Sequence, residues 1–228
     1  MTKISIVGAT TRGTTLAIVN AIGNQENKIF LLTRSQDETT KLENENQNSK
    51  FLPGYSFPNN INITNSQSEA LENTDLVILA VPSFTFRENL TNIKDFISSN
   101  SILLSATKGI EISSGLRMTQ IIKNEISNVS DQNICVLSGP NLAKEIIQGK
   151  PCSSVVASSD ENTINTVQEI LNSELFRLYG NTDIIGVEIA GAMKNITAIA
   201  SGISDGLNFG DNAKSSLITR GLAEMTRL

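Results

Sequence analysis

The 228-residue sequence contains no histidine, no tryptophan and only two cysteines. The lack of histidine excludes Ser-His-Asp and Cys-His catalytic relays, His-ligated zinc, and any dehydrogenase whose proton donor is an imidazole. An enzyme of this composition must take its acid–base group from Lys, Asp, Glu, Tyr or Cys. We expect no metal site. Cys135 and Cys152 lie among apolar or small residues, which favours reduced, structural thiols.

The sequence has no excess of positive charge, and it contains no long apolar run. Its 18 Lys and Arg residues against 23 Asp and Glu residues give a formal net charge of −5, which argues against nucleic acid or an anionic membrane as a partner. No apolar run reaches the ~18 residues that a membrane span needs. The N-terminus enters a strand pattern directly and lacks the apolar core of a signal peptide. We therefore expect a cytoplasmic protein without a membrane span.

Short β-rich segments alternate with amphipathic segments over most of the chain. This alternation predicts an α/β protein with βαβ units and a Rossmann-like, doubly wound, mostly parallel sheet. The predicted strands are 4–8, 28–33, 76–81, 102–105, 134–138, 154–157 and 175–179. The predicted helices are 14–22, 37–46, 84–97, 116–126, 142–148 and 161–171. The Asn- and Ser-rich segment 44–65 predicts a long loop.

The strand pattern stops after about residue 180. Residues 183–228 have a helical pattern, in which Gly202 and the glycine-containing segment 206–210 are expected to break two helices. We expect residues 1–180 to form an NAD(P)-binding domain and residues 181–228 to form the first part of an all-α substrate or catalytic domain. Because the pattern ends in mid-helix without a capping residue, we expect this helical domain to be truncated.

A glycine turn follows the first predicted strand and opens a helix. The segment 8–13 matches the G-x-G-x-x-G fingerprint at Gly8 and Gly13, whereas Thr10 replaces the second glycine. An ordinary βα turn could have this sequence, but its place in a βαβ unit favours phosphate binding. After the second strand, Arg34 and Ser35 suit a 2′-phosphate and favour NADP. A solvated surface arginine is the alternative, and the nearby Asp37 leaves NAD open.

Two later turns also place polar residues at the ends of buried strands. Lys108 follows the strand 102–105, so it points to the crevice in which α/β sheets bind ligands, unless it is a surface lysine. In the segment 138–145, Asn141 is expected to cap the following helix, whose free N–H groups could hold an anion.

One lysine, Lys194, lies among small and apolar residues in a predicted helix. Burial and a second ammonium nearby, such as that of Lys108, would lower its pKa. It could then exchange a proton with a substrate hydroxyl near neutral pH. The alternative is a lysine that extends to solvent from a helix packing face.

These motifs together resemble the bacterial-type NAD(P)-dependent glycerol-3-phosphate dehydrogenases along the whole chain. The matching segments are the glycine turn, FLPG at 51–54, VPS at 81–83, TKG at 107–109, SGP-x-x-AKE at 138–145, and GAMKN with SDG-x-x-FGDN within 191–212. The resemblance implies hydride transfer between carbon 2 of sn-glycerol 3-phosphate and a nicotinamide, with dihydroxyacetone phosphate as the other substrate. It further implies NADP or NAD as cofactor, a role in glycerophospholipid synthesis, and a candidate homodimer.

The resemblance also assigns roles to individual residues. Lys194 corresponds to the catalytic proton donor and acceptor. The positions that correspond to substrate contacts are Lys108, Gly139, Asn141 and Asn195. The positions that correspond to cofactor contacts are Gly8, Thr11, Arg12, Gly13, Arg34, Lys108 and Ala143.

The sequence departs from the family pattern at several positions. Thr10 replaces a glycine, Arg12 stands where an aromatic residue is usual, and Asn141 stands where Ser or Thr is usual. Further substrate-phosphate residues, an arginine among them, would lie beyond residue 228. Two alternatives therefore stay open: another lysine-based dehydrogenase of the 3-hydroxyacid or 6-phosphogluconate type, and a non-catalytic NADP-binding or sensor module.

Overall fold

The computed structural model describes residues 1–174 and 176–227, and in them an eight-stranded sheet carries helices on both faces. The strands are β1 (Lys3–Val7), β2 (Lys28–Leu32), β3 (Ile61–Thr64), β4 (Leu76–Leu79), β5 (Ile102–Ser105), β6 (Ile134–Ser138), β7 (Cys152–Ser158) and β8 (Phe176–Asn181). The helices are α1 (Thr11–Gly23), α2 (Gln36–Glu45), α3 (Gln67–Leu71), α4 (Phe86–Ile93), α5 (Met118–Glu125), α6 (Ala143–Ile147), α7 (Glu161–Leu171), α8 (Ile184–Gly206) and α9 (Gly210–Thr226). The predicted Rossmann-like fold is confirmed.

The strand order is β3-β2-β1-β4-β5-β6-β7-β8. All neighbouring strands are parallel except β6 and β7, which are antiparallel. From β1 the chain first builds the sheet outward through β2 and β3, and then returns to the other side of β1 with β4. The order therefore reverses between β1 and β4, which is where open α/β sheets form a ligand crevice beyond the carboxyl ends of their strands.

The central strands are buried on both faces. In β4, Leu76 and Ile78 belong to one hydrophobic cluster, whereas Val77 and Leu79 belong to the cluster on the opposite face. Because successive side chains of a strand point to opposite sides, a strand covered by helices on both faces must be apolar at every position. This packing explains the unbroken apolar run that the sequence shows at β4.

The segment 44–65 is not the simple loop that its composition predicts. It contains the edge strand β3, whose four residues are mostly only partly buried, so the strand lacks a strong apolar pattern. The rest of the segment is docked on the glycine turn, because Asn48 Nδ2 donates to Ala9 O at 2.9 Å and to Thr14 Oγ1 at 2.8 Å. Leu52 is buried in the core. The segment therefore supports the wall of the crevice.

Other element bounds also differ from the predictions. Gly202 does not break a helix but lies within α8, where a side chain would meet open space and the cost of glycine is only about 1 kcal/mol. The predicted helix 84–97 is reduced to α4 and two flanking 3₁₀ turns. The predicted strand 175–179 begins at Leu175, which lies outside the described residues, as does Leu228 at the end of the predicted helical region.

Helix α8 is long and apolar. It has 23 residues and contains an 18-residue segment of mean hydropathy 1.3, of which 11% is buried. Its length and composition would allow it to cross a membrane, but core helices of soluble proteins also meet this criterion, so the support is weak. In the structure α8 packs against β6, β7 and α9. The absence of a membrane span stays a prediction.

Candidate active site

The glycine turn after β1 has no room for side chains at Gly8 and Gly13. Gly8 has a φ of +106°, and a Cβ atom there would lie 2.8 Å from Val81 Cγ1. A Cβ atom at Gly13 would lie 2.0 Å from the carbonyl oxygen of Gly8. Both positions therefore require glycine, the first for its backbone conformation and the second because α1 packs closely on the turn.

Thr10 occupies the place of the second fingerprint glycine and caps helix α1. Its hydroxyl accepts a hydrogen bond from Gly13 N at 3.1 Å and donates to Ala80 O at 2.7 Å. The side chain thus joins the turn to the residue after β4. It also uses one of the helix N–H groups that would otherwise be available to a phosphate.

A cleft of about 450 Å³ opens above this turn, between the carboxyl ends of β1, β2 and β4. This volume lies in the range of small-molecule sites, about 300–1,000 Å³. Gly8 and Thr10 of the glycine turn line it together with Arg34 and Glu38, which follow β2, and with the exposed Phe84. The cleft has the position that the strand order predicts for a ligand.

The carboxyl ends of β5 and β6 bring Lys108 and Gly139 together. Lys108 Nζ donates to the carbonyl oxygen of Gly139 at 2.7 Å. A Cβ atom at Gly139 would lie 2.7 Å from Ser154 Oγ, so the chain passes close to β7 at this point.

Asn141 does not cap the next helix, contrary to the prediction. The N-cap of α6 is Leu142, which makes no side-chain capping bond. The Asn141 side chain instead accepts a hydrogen bond at Oδ1 from Ser154 Oγ at 2.7 Å, and among the described residues its buried Nδ2 has no partner. Ala143, the residue after the N-cap Leu142, begins α6, which packs against α1.

Helix α8 crosses the end of β6 and brings Lys194 to Lys108. Gly191 makes this approach possible, because a Cβ atom there would lie 2.6 Å from Ser138 Oγ. Lys194 lies close enough to Lys108 for its positive charge to act on the Lys108 ammonium. Lys194 and Asn195 are exposed, so the expected burial of Lys194 is wrong. Lys194 is exposed because, among the described residues, no other element packs over this part of α8.

The more buried lysine of the pair is Lys108. Burial, together with the positive charges of Arg12 and Lys194, lowers the pKa of Lys108 to about 8. Each of these effects disfavours a protonated ammonium. The two lysines are neighbours, as the sequence predicts, but the more buried one is Lys108.

Arg12 adds a third positive charge to this region. Its Nη2 lies 3.4 Å from the carbonyl oxygen of Leu137, and its Nε is buried without a partner in the described part of the chain. Burial lowers the pKa of Arg12 to about 10. Within residues 1–174 and 176–227, none of Arg12, Lys108 and Lys194 forms an ion pair. The three cations are therefore suited to attract an anion.

Sequence reasoning misses Glu188, which anchors α8 next to this cluster. Glu188 is 7% exposed and pairs with Arg117, and its carboxylate accepts hydrogen bonds from Thr119 N at 2.9 Å and from Thr119 Oγ1. These partners lie at the start of α5. The sequence does contain one signal, since Glu188 is the single acidic residue in the apolar first half of α8. An acidic residue on an apolar helix face is expected to be buried, and a buried carboxylate requires partners elsewhere in the chain.

We expect the affinity of the cation cluster for inorganic phosphate to fall as the pH rises through about 8. The protonated Lys108 attracts the anion, and with its pKa lowered to about 8 it loses its charge in this range. Above about pH 8 inorganic phosphate is almost entirely the dianion, so its own charge changes little in this range. Isothermal titration between about pH 8 and 9, below the range in which Arg12 loses its charge, measures the effect. Lys108→Arg, which keeps its charge, should give a flat profile, and an equally flat wild-type profile would contradict the assignment.

The sequence matches the two models of one family. The model described as NAD-dependent glycerol-3-phosphate dehydrogenase N-terminus matches residues 3–164, and the model of the C-terminus matches residues 183–228. The chain belongs to the NAD-dependent glycerol-3-phosphate dehydrogenase family. This assignment confirms the resemblance that the sequence motifs indicate.

Relatives within the glycerol-3-phosphate dehydrogenase family match the chain along its length. A glycerol-3-phosphate dehydrogenase (NAD(P)+) of Dehalococcoides mccartyi is 45% identical over 100% of the chain, and one of Corynebacterium glutamicum is 42% identical. The chain spans 63% of the length of the first relative and 68% of the second. The crystal structure of the Coxiella burnetii glycerol-3-phosphate dehydrogenase has a TM-score of 0.90 and 37% identity, and the match covers 99% of this chain and 68% of that one.

Proposed function

We propose that this member of the glycerol-3-phosphate dehydrogenase family interconverts sn-glycerol 3-phosphate and dihydroxyacetone phosphate with NADP(H) or NAD(H), as a step that supplies glycerophospholipid synthesis. The observation that carries the proposal is the approach of Lys194 on α8 to Lys108, beyond the carboxyl end of β5. An acid–base group and an anion site thus lie side by side. The names of the relatives support the same reaction.

The residues of the cleft fit a dinucleotide. Gly8 and Gly13 leave the turn without side chains, so the backbone around Thr11 can approach a diphosphate, and Arg12 adds a positive charge. Arg34 lines the cleft beyond the end of β2, where it could pair with a 2′-phosphate. We assign Lys108 and Ala143 to the nicotinamide end. When bound, the reduced cofactor would supply the hydride.

The acid–base chemistry is assigned to Lys194. When the carbonyl of dihydroxyacetone phosphate is reduced, negative charge develops on its oxygen, and the Lys194 ammonium would stabilise that charge and then donate a proton to it. In the reverse direction the neutral amine would accept the proton of the hydroxyl. Lys108, held by its bond to Gly139 O, would attract the anionic substrate.

Two asparagines complete the proposed substrate site. The buried Nδ2 of Asn141 has no partner among the described residues, so it can donate to a substrate oxygen. Asn195 follows Lys194 on α8 and is exposed, and we assign it to orienting the substrate. We also propose a domain boundary at residues 180/181, a cytoplasmic location, no nucleic-acid or membrane partner, and a homodimer.

A substrate screen tests the proposed function. The 228-residue chain is incubated with NADPH and either dihydroxyacetone phosphate or 3-keto acids, and separately with NADP⁺ and sugar acids, and the change in NADPH absorbance is followed. We expect turnover with dihydroxyacetone phosphate alone. Turnover of a 3-keto acid or a sugar acid instead would favour the other lysine-based dehydrogenases. Binding of NADPH without any turnover, unchanged when Lys194 is replaced by Ala, would favour the non-catalytic sensor module.

A further inference from the structure

Glu38 lines the cleft beside Arg34, in the part that we assign to the adenosine ribose. It belongs to the first turn of α2, and it lines the cleft together with Arg34, Thr33 and Leu32 from the end of β2. Glu38 Oε2 accepts a hydrogen bond from Arg34 N at 3.0 Å and lies 3.8 Å from Arg34 Nε. The carboxylate is thus held in place by the same residue that is expected to recognise a 2′-phosphate.

The two side chains of this pair differ in exposure. The Glu38 side chain is 23% exposed, whereas that of Arg34 is 77% exposed. The carboxylate is therefore the more fixed of the two groups, while the guanidinium extends into solvent at the mouth of the cleft. Asp37, whose position in the sequence leaves NAD open, is exposed and does not line the cleft.

We propose that Glu38 is a specificity-determining residue that weakens the preference for NADP(H) and allows NAD(H) to bind. The inference rests on the proposed function, which places a dinucleotide in this cleft. A carboxylate in this part of the cleft can accept a hydrogen bond from a ribose 2′-hydroxyl. The same carboxylate repels a 2′-phosphate and competes with it for Arg34. Glu38 therefore favours the unphosphorylated cofactor, and Arg34 favours the phosphorylated one.

The decisive variant is Glu38→Gln. Glutamine has the same shape and keeps an oxygen that can accept the bond from Arg34 N, so the start of α2 is preserved. Removal of the negative charge should tighten NADPH binding by about five- to tenfold, since the pair is only partly screened by solvent. Binding of NADH should weaken or stay constant. The gain in NADPH affinity should shrink at high ionic strength.

The test measures dissociation constants and requires no turnover. Cofactor fluorescence reports NADPH and NADH binding to the full chain and to each variant. Asp37→Asn is the matched control, because it removes the same charge from the same helical turn but outside the cleft. Arg34→Met should lower the affinity for NADPH and leave that for NADH nearly unchanged. Thermal unfolding of each variant confirms that it is folded.

The outcomes separate the inference from the function on which it rests. A fivefold or larger rise in the NADPH-to-NADH affinity ratio for Glu38→Gln, with no rise for Asp37→Asn, supports the inference. An unchanged ratio for Glu38→Gln, or equal rises for both variants, overturns it. If the wild-type chain binds neither cofactor, both the proposed function and the inference fail. If it binds the cofactors but the NADPH-to-NADH affinity ratio of Glu38→Gln is unchanged, only the inference fails.

Discussion

Replacing Glu188 by Ala should weaken the attachment of α8 and α9 to the sheet by about 3–5 kcal/mol, the usual cost of removing one partner of a buried ion pair. The substitution leaves the Arg117 guanidinium, whose side chain is 16% exposed, without its counter-ion. It also leaves the backbone N–H of Thr119 without its acceptor. Few other residues of α8 are buried, namely Gly191 and Ser204. The carboxylate is therefore a principal anchor of this helix.

Hydrogen exchange measures this effect where it should occur. In Glu188→Ala the amides of residues 184–226 should exchange faster, by the factor that corresponds to the lost free energy, whereas β1 and β4 should keep their protection. Asp205→Ala is a control on the same helix, because the Lys214–Asp205 pair is exposed and is worth at most about 1 kcal/mol. Equal exchange in both variants would show that Glu188 is not an anchor.

Much of the fold is predictable because its signals are local. The alternation of apolar strands and amphipathic helices, and the run that becomes β4, follow from side-chain periodicity within short segments. The strand β3 escapes prediction because it is a four-residue edge strand with few buried side chains. The antiparallel placement of β7 beside β6 depends on contacts between distant segments, and composition does not encode them locally.

The candidate site is predictable to a similar extent. The requirement for Gly8 and Gly13 follows from a local turn, and the approach of Lys108 to Gly139 follows from the common edge of parallel strands. The exposure of Lys194 could not be foreseen, because it depends on what covers α8. The ion pair of Glu188 with Arg117 joins residues that are 71 positions apart, and Glu38 is recognisable only once α2 is placed beside the cleft.

Replacing Lys194 by Ala should reduce the turnover of dihydroxyacetone phosphate by about 10²- to 10⁴-fold, the usual contribution of a positioned acid–base group. The sequence contains no histidine to take over this role. The affinity for NADPH should change little, because the glycine turn and Arg34 lie on other elements. The decrease should therefore appear in kcat, measured from NADPH oxidation at saturating cofactor, while the dissociation constant of NADPH stays nearly constant.

Two further variants separate proton transfer from simple attraction of the substrate. Lys194→Arg keeps the positive charge but donates a proton poorly, because the pKa of arginine exceeds 12. Compared with Lys194→Ala, the Lys194→Arg variant should bind the substrate more tightly but have an equally low kcat. Lys41→Ala, which removes an exposed lysine of α2, should leave substrate binding and kcat unchanged. Added primary amines should partly rescue Lys194→Ala, since a small amine can donate the missing proton. Full activity of Lys194→Ala would instead move the acid–base role to Lys108, the other lysine within reach.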